Sequence, residues 1–270
     1  MLPWTALAFD NYGFQDHISV INGAEINWTK GWITAPGLSF AASTDLNRSF
    51  SGGVPERRSQ LHAARALFQA VMNLPWGHPE KDDLTQLAAE DKGLENEVRD
   101  LASQAQVSEV LRLSGNGLLF ETYLRLDMQD TVLRMLMPDI FFMSPEFSLK
   151  QEKSTAVAGD CVIFLDASET ALSAAVAPSI LDEQGSILFR ASVFGSRPEK
   201  DARSVAYAAS GAEPLRFRPV QIRDQALWIR SSKASGFQNT CPVLDEQAAG
   251  RFMDMLSLHQ GRCSVLILIK

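Results

Sequence analysis

Gly23–Gly37 reads GAEINWTKGWITAPG and alternates between two kinds of side chain. Ile26, Trp28, Lys30 and Trp32 fall on one side at a period of two, with Asn27, Thr29, Gly31 and Ile33 on the other, which is the pattern of a strand. The stretch is therefore expected to be one strand, ended by Pro36-Gly37. Residues 38–54, rich in Ser, Gly and Asn, are expected to form a loop.

Downstream the period changes. Pro55 and Glu56 suit a first helical turn, and Leu61, Ala64, Leu67, Phe68, Val71 and Met72 recur at three and four residues, predicting a helix over 55–73. A second helix is expected over 82–105, with Leu94, Val98, Leu101 and Ala102 along one face. In 107–128, VSEVLRLSGNGLLFETYLRLDM, the turn signal Ser114–Gly117 separates two alternating runs, so a hairpin is expected. Its second run puts Leu118, Phe120, Thr122, Leu124 and Leu126 on one face.

Strand, helices and hairpin together predict an α+β domain whose helices cover one side of a small, mostly antiparallel sheet. A second domain of the same class is expected after a connector at 138–160. Its elements are a core strand at Cys161–Leu165, a hairpin at Ile180–Phe189 turning at Asp182–Gly185, and one or two strands within 215–230. A helix capped by Asp245 and an almost wholly apolar strand at Cys263–Ile269 complete it. The expected organisation is 1–8 as the remnant of an export signal, 9–137 as the first domain, 138–160 as connector and 161–270 as the second domain. The signal reading comes from MLPWTALA, which ends in the small-x-small triplet Ala6-Leu7-Ala8 before polar sequence.

Composition narrows the function. The chain has 270 residues, 46% of them hydrophobic, with a formal net charge of -7. That is enough apolar content for two cores without metal staples. The acidic balance argues against nucleic acid as a partner. No run approaches the roughly 18 apolar residues of a membrane span, so no transmembrane segment is expected. Cys161, Cys241 and Cys263 are either three buried thiols or one disulfide plus one buried thiol.

Catalytic chemistry has little foothold. His17, His62, His78 and His259 are scattered without metal-ligand spacing. No nucleophile elbow, phosphate loop or zinc-protease helix is present, and the acids Asp160, Asp166, Asp182 and Glu183 sit at strand ends and in a turn. The chain is expected to be noncatalytic, without cofactor or metal. Two stretches are candidates for interaction. Trp28, Lys30 and Trp32 are either a contact surface or residues packed beneath the first helix. Arg216, Arg218, Arg223 and Arg230 form a basic run that either meets an anionic envelope polymer or is a solvated strand face.

The opening strand, the Ala-rich helix Arg58–Val71 (RSQLHAARALFQAV) and the strand Gly117–Met128 together resemble the bacterial envelope lipoprotein family that includes flagellar outer-membrane protein P. The N-terminal domain of the flagellar T protein has a similar plan. The resemblance covers residues 23–137. Pro178–Gly185, Ala212–Leu215, the helix from Asp245 and the strand Gly261–Ile269 resemble a domain that accompanies it in some exported proteins. The pattern departs from the family at three places: no lipid-attachment cysteine near the start, extra residues at 38–54, and a rearranged segment at 74–93. The resemblance implies a noncatalytic scaffold or assembly component at the periplasm or outer-membrane periphery of a Gram-negative bacterium, flagellum-associated in some members. Its partners would be other envelope proteins or further copies of itself. The alternative function is a periplasmic binding module for an anionic polymer or small ligand.

Overall fold

The computed structural model describes residues 15–40, 53–77, 85, 89, 92–112, 119–128, 161–190, 205–209, 226–259 and 263–270. The expected signal remnant at 1–8, the connector at 138–160, the turn at Ser114–Gly117 and the stretch 215–225 lie outside the described residues. The chain forms two compact units.

The N-terminal unit is built on a five-stranded sheet. Its strands are β1 (Ile18–Ile21), β2 (Ala24–Asn27), β3 (Trp32–Phe40), β4 (Gln106–Arg112) and β5 (Leu119–Asp127), in the order β1-β2-β3-β5-β4. Every neighbouring pair is antiparallel. Among the described residues, α1 (Gly53–Met72) and α2 (Lys92–Ser103) lie between β3 and β4. The α+β plan is the one expected from sequence.

The stretch 23–37 is not one strand. Asn27 pairs with Trp32, and residues 28–31 turn the chain between β2 and β3. Asn27 organises the turn: its side-chain oxygen accepts from the Lys30 backbone N–H at 2.8 Å, and its carbonyl accepts from Gly31 N–H at 2.8 Å. Such Asx contacts compete with extended pairing, which a period count alone does not register. Nor does Pro36-Gly37 end the strand. β2 pairs with β3 only at residues 32–34, so at Pro36 that edge has no neighbour needing an N–H, while β5 continues the pairing through Phe40. Leu38, Ser39 and Phe40 are strand residues rather than loop.

The helical face also differs from expectation. Ser59, Ala63, Leu67, Ala70 and Val71 are buried, whereas Leu61 is 64% exposed. Small residues face the sheet because α1 comes very close to β3. A Cβ built on Gly37 would lie 2.0 Å from the Ser59 carbonyl oxygen and 2.3 Å from the Ala63 nitrogen. At this approach Ser59 Oγ shares a 2.6 Å hydrogen bond with Thr122 Oγ1 and donates to the Glu56 carbonyl at 2.8 Å. Ser39 Oγ donates to the Pro55 carbonyl. Phe120, Thr122, Leu124 and Leu126 of β5 are buried on the predicted face. Val98 and Ala102 of α2 are buried, and Arg99 of α2 lies 5.5 Å from the Phe68 ring of α1.

Among the described residues the C-terminal unit contains two sheets. One holds β6 (Cys161–Asp166), β9 (Val205–Ala209), β10 (Ala226–Arg230) and β13 (Cys263–Ile269), ordered β10-β6-β13-β9. All three pairings are parallel, where the sequence led us to expect mostly antiparallel sheets. The apolar run of β13 has the physical reason in it: Val265–Ile269 are buried on both faces, as parallel strands generally are. The other sheet is β11 (Lys233–Ser235), β12 (Cys241–Leu244), β7 (Ser179–Asp182) and β8 (Ile187–Arg190), ordered β11-β12-β7-β8. β7 and β8 form the expected hairpin, with Asp182 Oδ1 accepting from Ser186 N–H at 2.7 Å.

Asp245 caps α3 (Glu246–Leu258), accepting from Ala248 N–H at 2.7 Å. Phe252 of α3 meets Phe189 of β8 edge to face, with centroids 5.9 Å apart. Ser231, just past β10, bonds to β6 through Asp166 and to β12 through Val243, so the two sheets share polar contacts at this corner. Residues 15–17 and 75–77 also belong to this unit. Gln15 bridges Ala209 of β9, whose N–H donates to the Gln15 carbonyl at 3.0 Å.

Candidate interaction surface

Three of the seven candidate residues, Trp28, Lys30 and Trp32, lie in or beside the β2–β3 turn, and the turn separates them. Trp28 is 5% exposed, and its indole N–H donates to Ser19 Oγ of β1 at 2.8 Å. Lys30 is exposed and Trp32 half-buried at the start of β3. The Trp32 ring has the Arg125 guanidinium of β5 3.2 Å from its centroid and Lys30 Nζ at 5.7 Å. Two cations on one indole make a cation–π group that sequence inspection could not assemble, because Arg125 is brought in by pairing across β3 and β5.

That group sits on the sheet face away from α1. Alternation places Trp32, Thr34, Pro36, Leu38 and Phe40 of β3 on this face. The register extends it to Ile18 and Val20 on one side, and to Tyr123 and Arg125 on the other. Ile18 is 47%, Val20 70%, Leu38 45% and Phe40 70% exposed. A hydrogen bond from Tyr123 to Glu121, with some burial and the nearby carboxylates of Glu121 and Glu109, raises the Tyr123 pKa above its ordinary value. The surface is thus apolar and aromatic with charged groups of both signs.

The basic run is represented by one residue. Arg216, Arg218 and Arg223 lie outside the described residues. Arg230, at the end of β10, approaches Asp166 at 3.8 Å and Glu169 at 3.3 Å. Asp166 Oδ1 also accepts from Ser168 Oγ at 2.6 Å. The Arg230 charge is therefore shared with two carboxylates of its own unit. Beside it, Trp228 stacks on Phe164 with centroids 5.5 Å apart.

Cysteine chemistry is settled in form. Cys161 and Cys263 form a disulfide between directly paired residues of β6 and β13, with Cα atoms 4.4 Å apart. Cys241 is a buried free thiol whose pKa is raised by burial. Tyr207, fully enclosed, has its hydroxyl pKa raised by burial while the hydroxyl accepts from Ala175 N–H at 3.0 Å. Half-burial of His17 lowers its pKa. Tyr207 and Cys241 are close enough that, after burial, the Cys241 charge also contributes to raising the Tyr207 pKa. Among the described residues no group of three His, Cys, Asp or Glu has metal-binding geometry, and no helix is long and apolar enough to cross a membrane.

Comparison with curated proteins finds no match to the chain. Residues 162–270 match the family described as Treponema pallidum Tp0624, second domain. The matched region begins within β6 and holds the described strands of both sheets and α3 of the C-terminal unit, so this part of the chain is similar to a domain of a bacterial protein.

Proposed function

We propose that this chain is an exported, noncatalytic component of a bacterial cell envelope, acting as a scaffold or assembly part at the periplasm or outer-membrane periphery. The observation that carries the reading is the Cys161–Cys263 bridge, because structural disulfides form and persist in oxidising compartments and are rare in the cytosol. Similarity of residues 162–270 to a domain of a bacterial protein supports it. The exposed apolar face of the five-stranded sheet supplies a surface for association with envelope proteins or with further copies. Association with the flagellum is a narrower reading that draws on the resemblance of residues 23–137.

Light scattering after size exclusion, over a wide range of concentrations, tests self-association. A discrete oligomer that grows in with concentration is expected, and a strict monomer throughout would remove it. The alternative, a periplasmic module for an anionic polymer or small ligand, draws on the Lys30–Trp32–Arg125 group. It requires a salt-sensitive pull-down that Lys30→Ala with Arg125→Ala abolishes.

A further inference from the structure

Between α1 and α2 the chain supplies three residues, Pro75-Trp76-Gly77, to the C-terminal unit. Their carbonyls take up consecutive donors at the entry to β7. Val176 N–H donates to Pro75 O at 2.9 Å, Ala177 N–H to Trp76 O at 2.9 Å, and Ser179 N–H to Gly77 O at 3.0 Å. The Cys241 thiol of β12 donates to Gly77 O at 3.3 Å. Trp76 is 2% exposed. Gly77 has φ +88°, and a Cβ there would meet Pro178 Cα at 2.8 Å and Ala175 Cβ at 2.9 Å.

We propose that Pro75–Gly77 is an internal strap without which the C-terminal unit is incomplete, so that the domain matched at 162–270 does not hold its fold here by its own residues alone. Three features carry this. The strap closes backbone donors of residues 176–179 that would otherwise need another acceptor. Its tryptophan is one of the largest fully buried side chains in the structure, and emptying that volume is costly. Its seat admits no side chain at position 77. Only Asn73 and Leu74 separate the strap from the last residue of α1, and both donate back into the helix's last turn. The strap therefore follows an ordered helix end directly along the chain. In an assembly part, this makes the stability of one unit depend on chain delivered by the other. The inference is independent of the envelope reading.

Hydrogen exchange on the full-length chain tests it. In Trp76→Ala and Gly77→Ala, amides of Ala177 and Ser179 and also those of β6 and β13 should exchange about 100-fold faster, while the β3 and β5 amides hold their protection. Trp76→Phe, which retains most of the volume, should fold and fall between. Were acceleration confined to residues 176–179, with β6 and β13 unchanged, the strap would be a local clip and the proposal would fail. Acceleration in β3 and β5 as well would also overturn it, as general destabilisation.

Discussion

The contact between α1 and β3 makes a sharp prediction at Gly37. Replacing it with alanine puts a methyl 2.0 Å from the Ser59 carbonyl, whereas ordinary contact begins at 3.4 Å, so helix and strand must separate locally by about 1.4 Å. The obstructing atoms are backbone, which no rotamer change can move aside. A separation of that size stretches the 2.6 Å Ser59–Thr122 bond to roughly 4 Å and breaks it. Overpacking costs about 1–3 kcal/mol, and a buried hydroxyl left without its partner about 1–3 kcal/mol more. The expected loss is about 3 kcal/mol, a fall in Tm of about 6–12 °C for a chain of this size. Urea denaturation followed by circular dichroism reads it. A double-mutant cycle identifies the cause: Thr122→Ala should cost less in the Gly37→Ala background, where its bond is already gone, than alone. A Gly37→Ala change within about 0.5 kcal/mol of the parent, or strict additivity with Thr122→Ala, would refute the close-approach account.

The Cys161–Cys263 link closes a loop with a sequence separation of 102, so replacing both cysteines with alanine should lower the stability of the C-terminal unit by about 2–5 kcal/mol, measured by denaturant unfolding. His17 has its pKa lowered from 6.5 by burial, so the unfolded chain takes up the proton first. Its contribution is therefore complete above about pH 6.5 and is lost as pH falls from there through the folded-state pKa, and His17→Gln should flatten the stability profile over that interval. Arg230→Ala should change stability by less than about 1 kcal/mol, since both of its ion pairs are solvent-exposed on the arginine side. Trp28→Phe should cost about 1 kcal/mol through the lost Ser19 hydrogen bond, read by the same unfolding assay.

Local chemistry made much of this fold readable. The apolar face of β5, the Asp182 turn and the Asp245 cap each follow from one segment acting on itself, and each is found where the residues place it. What escaped depends on partners distant in sequence. Leu61 fits the helical period better than Ser59 or Ala63, yet the small residues are buried because Gly37 brings the strand within their reach. The wholly apolar run of β13 fits a parallel strand buried on both faces, but the partly exposed residues of β10 carry no such mark of its direction. One local signal was overlooked: Asn22-Gly23, with φ of 50° and 80°, turns β1 into β2 and could have been recognised as a hairpin pair.

The interaction surface was legible only in part. Lys30 and Trp32 were visible as neighbours in a strand-like run, but Arg125 joins them through the β3–β5 register. Trp28 shares the same spacing and is buried because the turn rotates it away from them. Trp76 gave no periodic signal at all, since its place is created by residues 176–179 about a hundred positions later.

The central claim, that this is an exported protein, is tested most directly by the thiol state in its native cells. Cells are quenched in acid, the protein is denatured without reductant, and alkylation is counted by mass spectrometry. The account predicts modification of Cys241 alone, with Cys161 and Cys263 recovered as one linked peptide pair. Alkylation of all three cysteines would contradict it, placing the chain in a reducing compartment and removing the observation on which the proposed function rests.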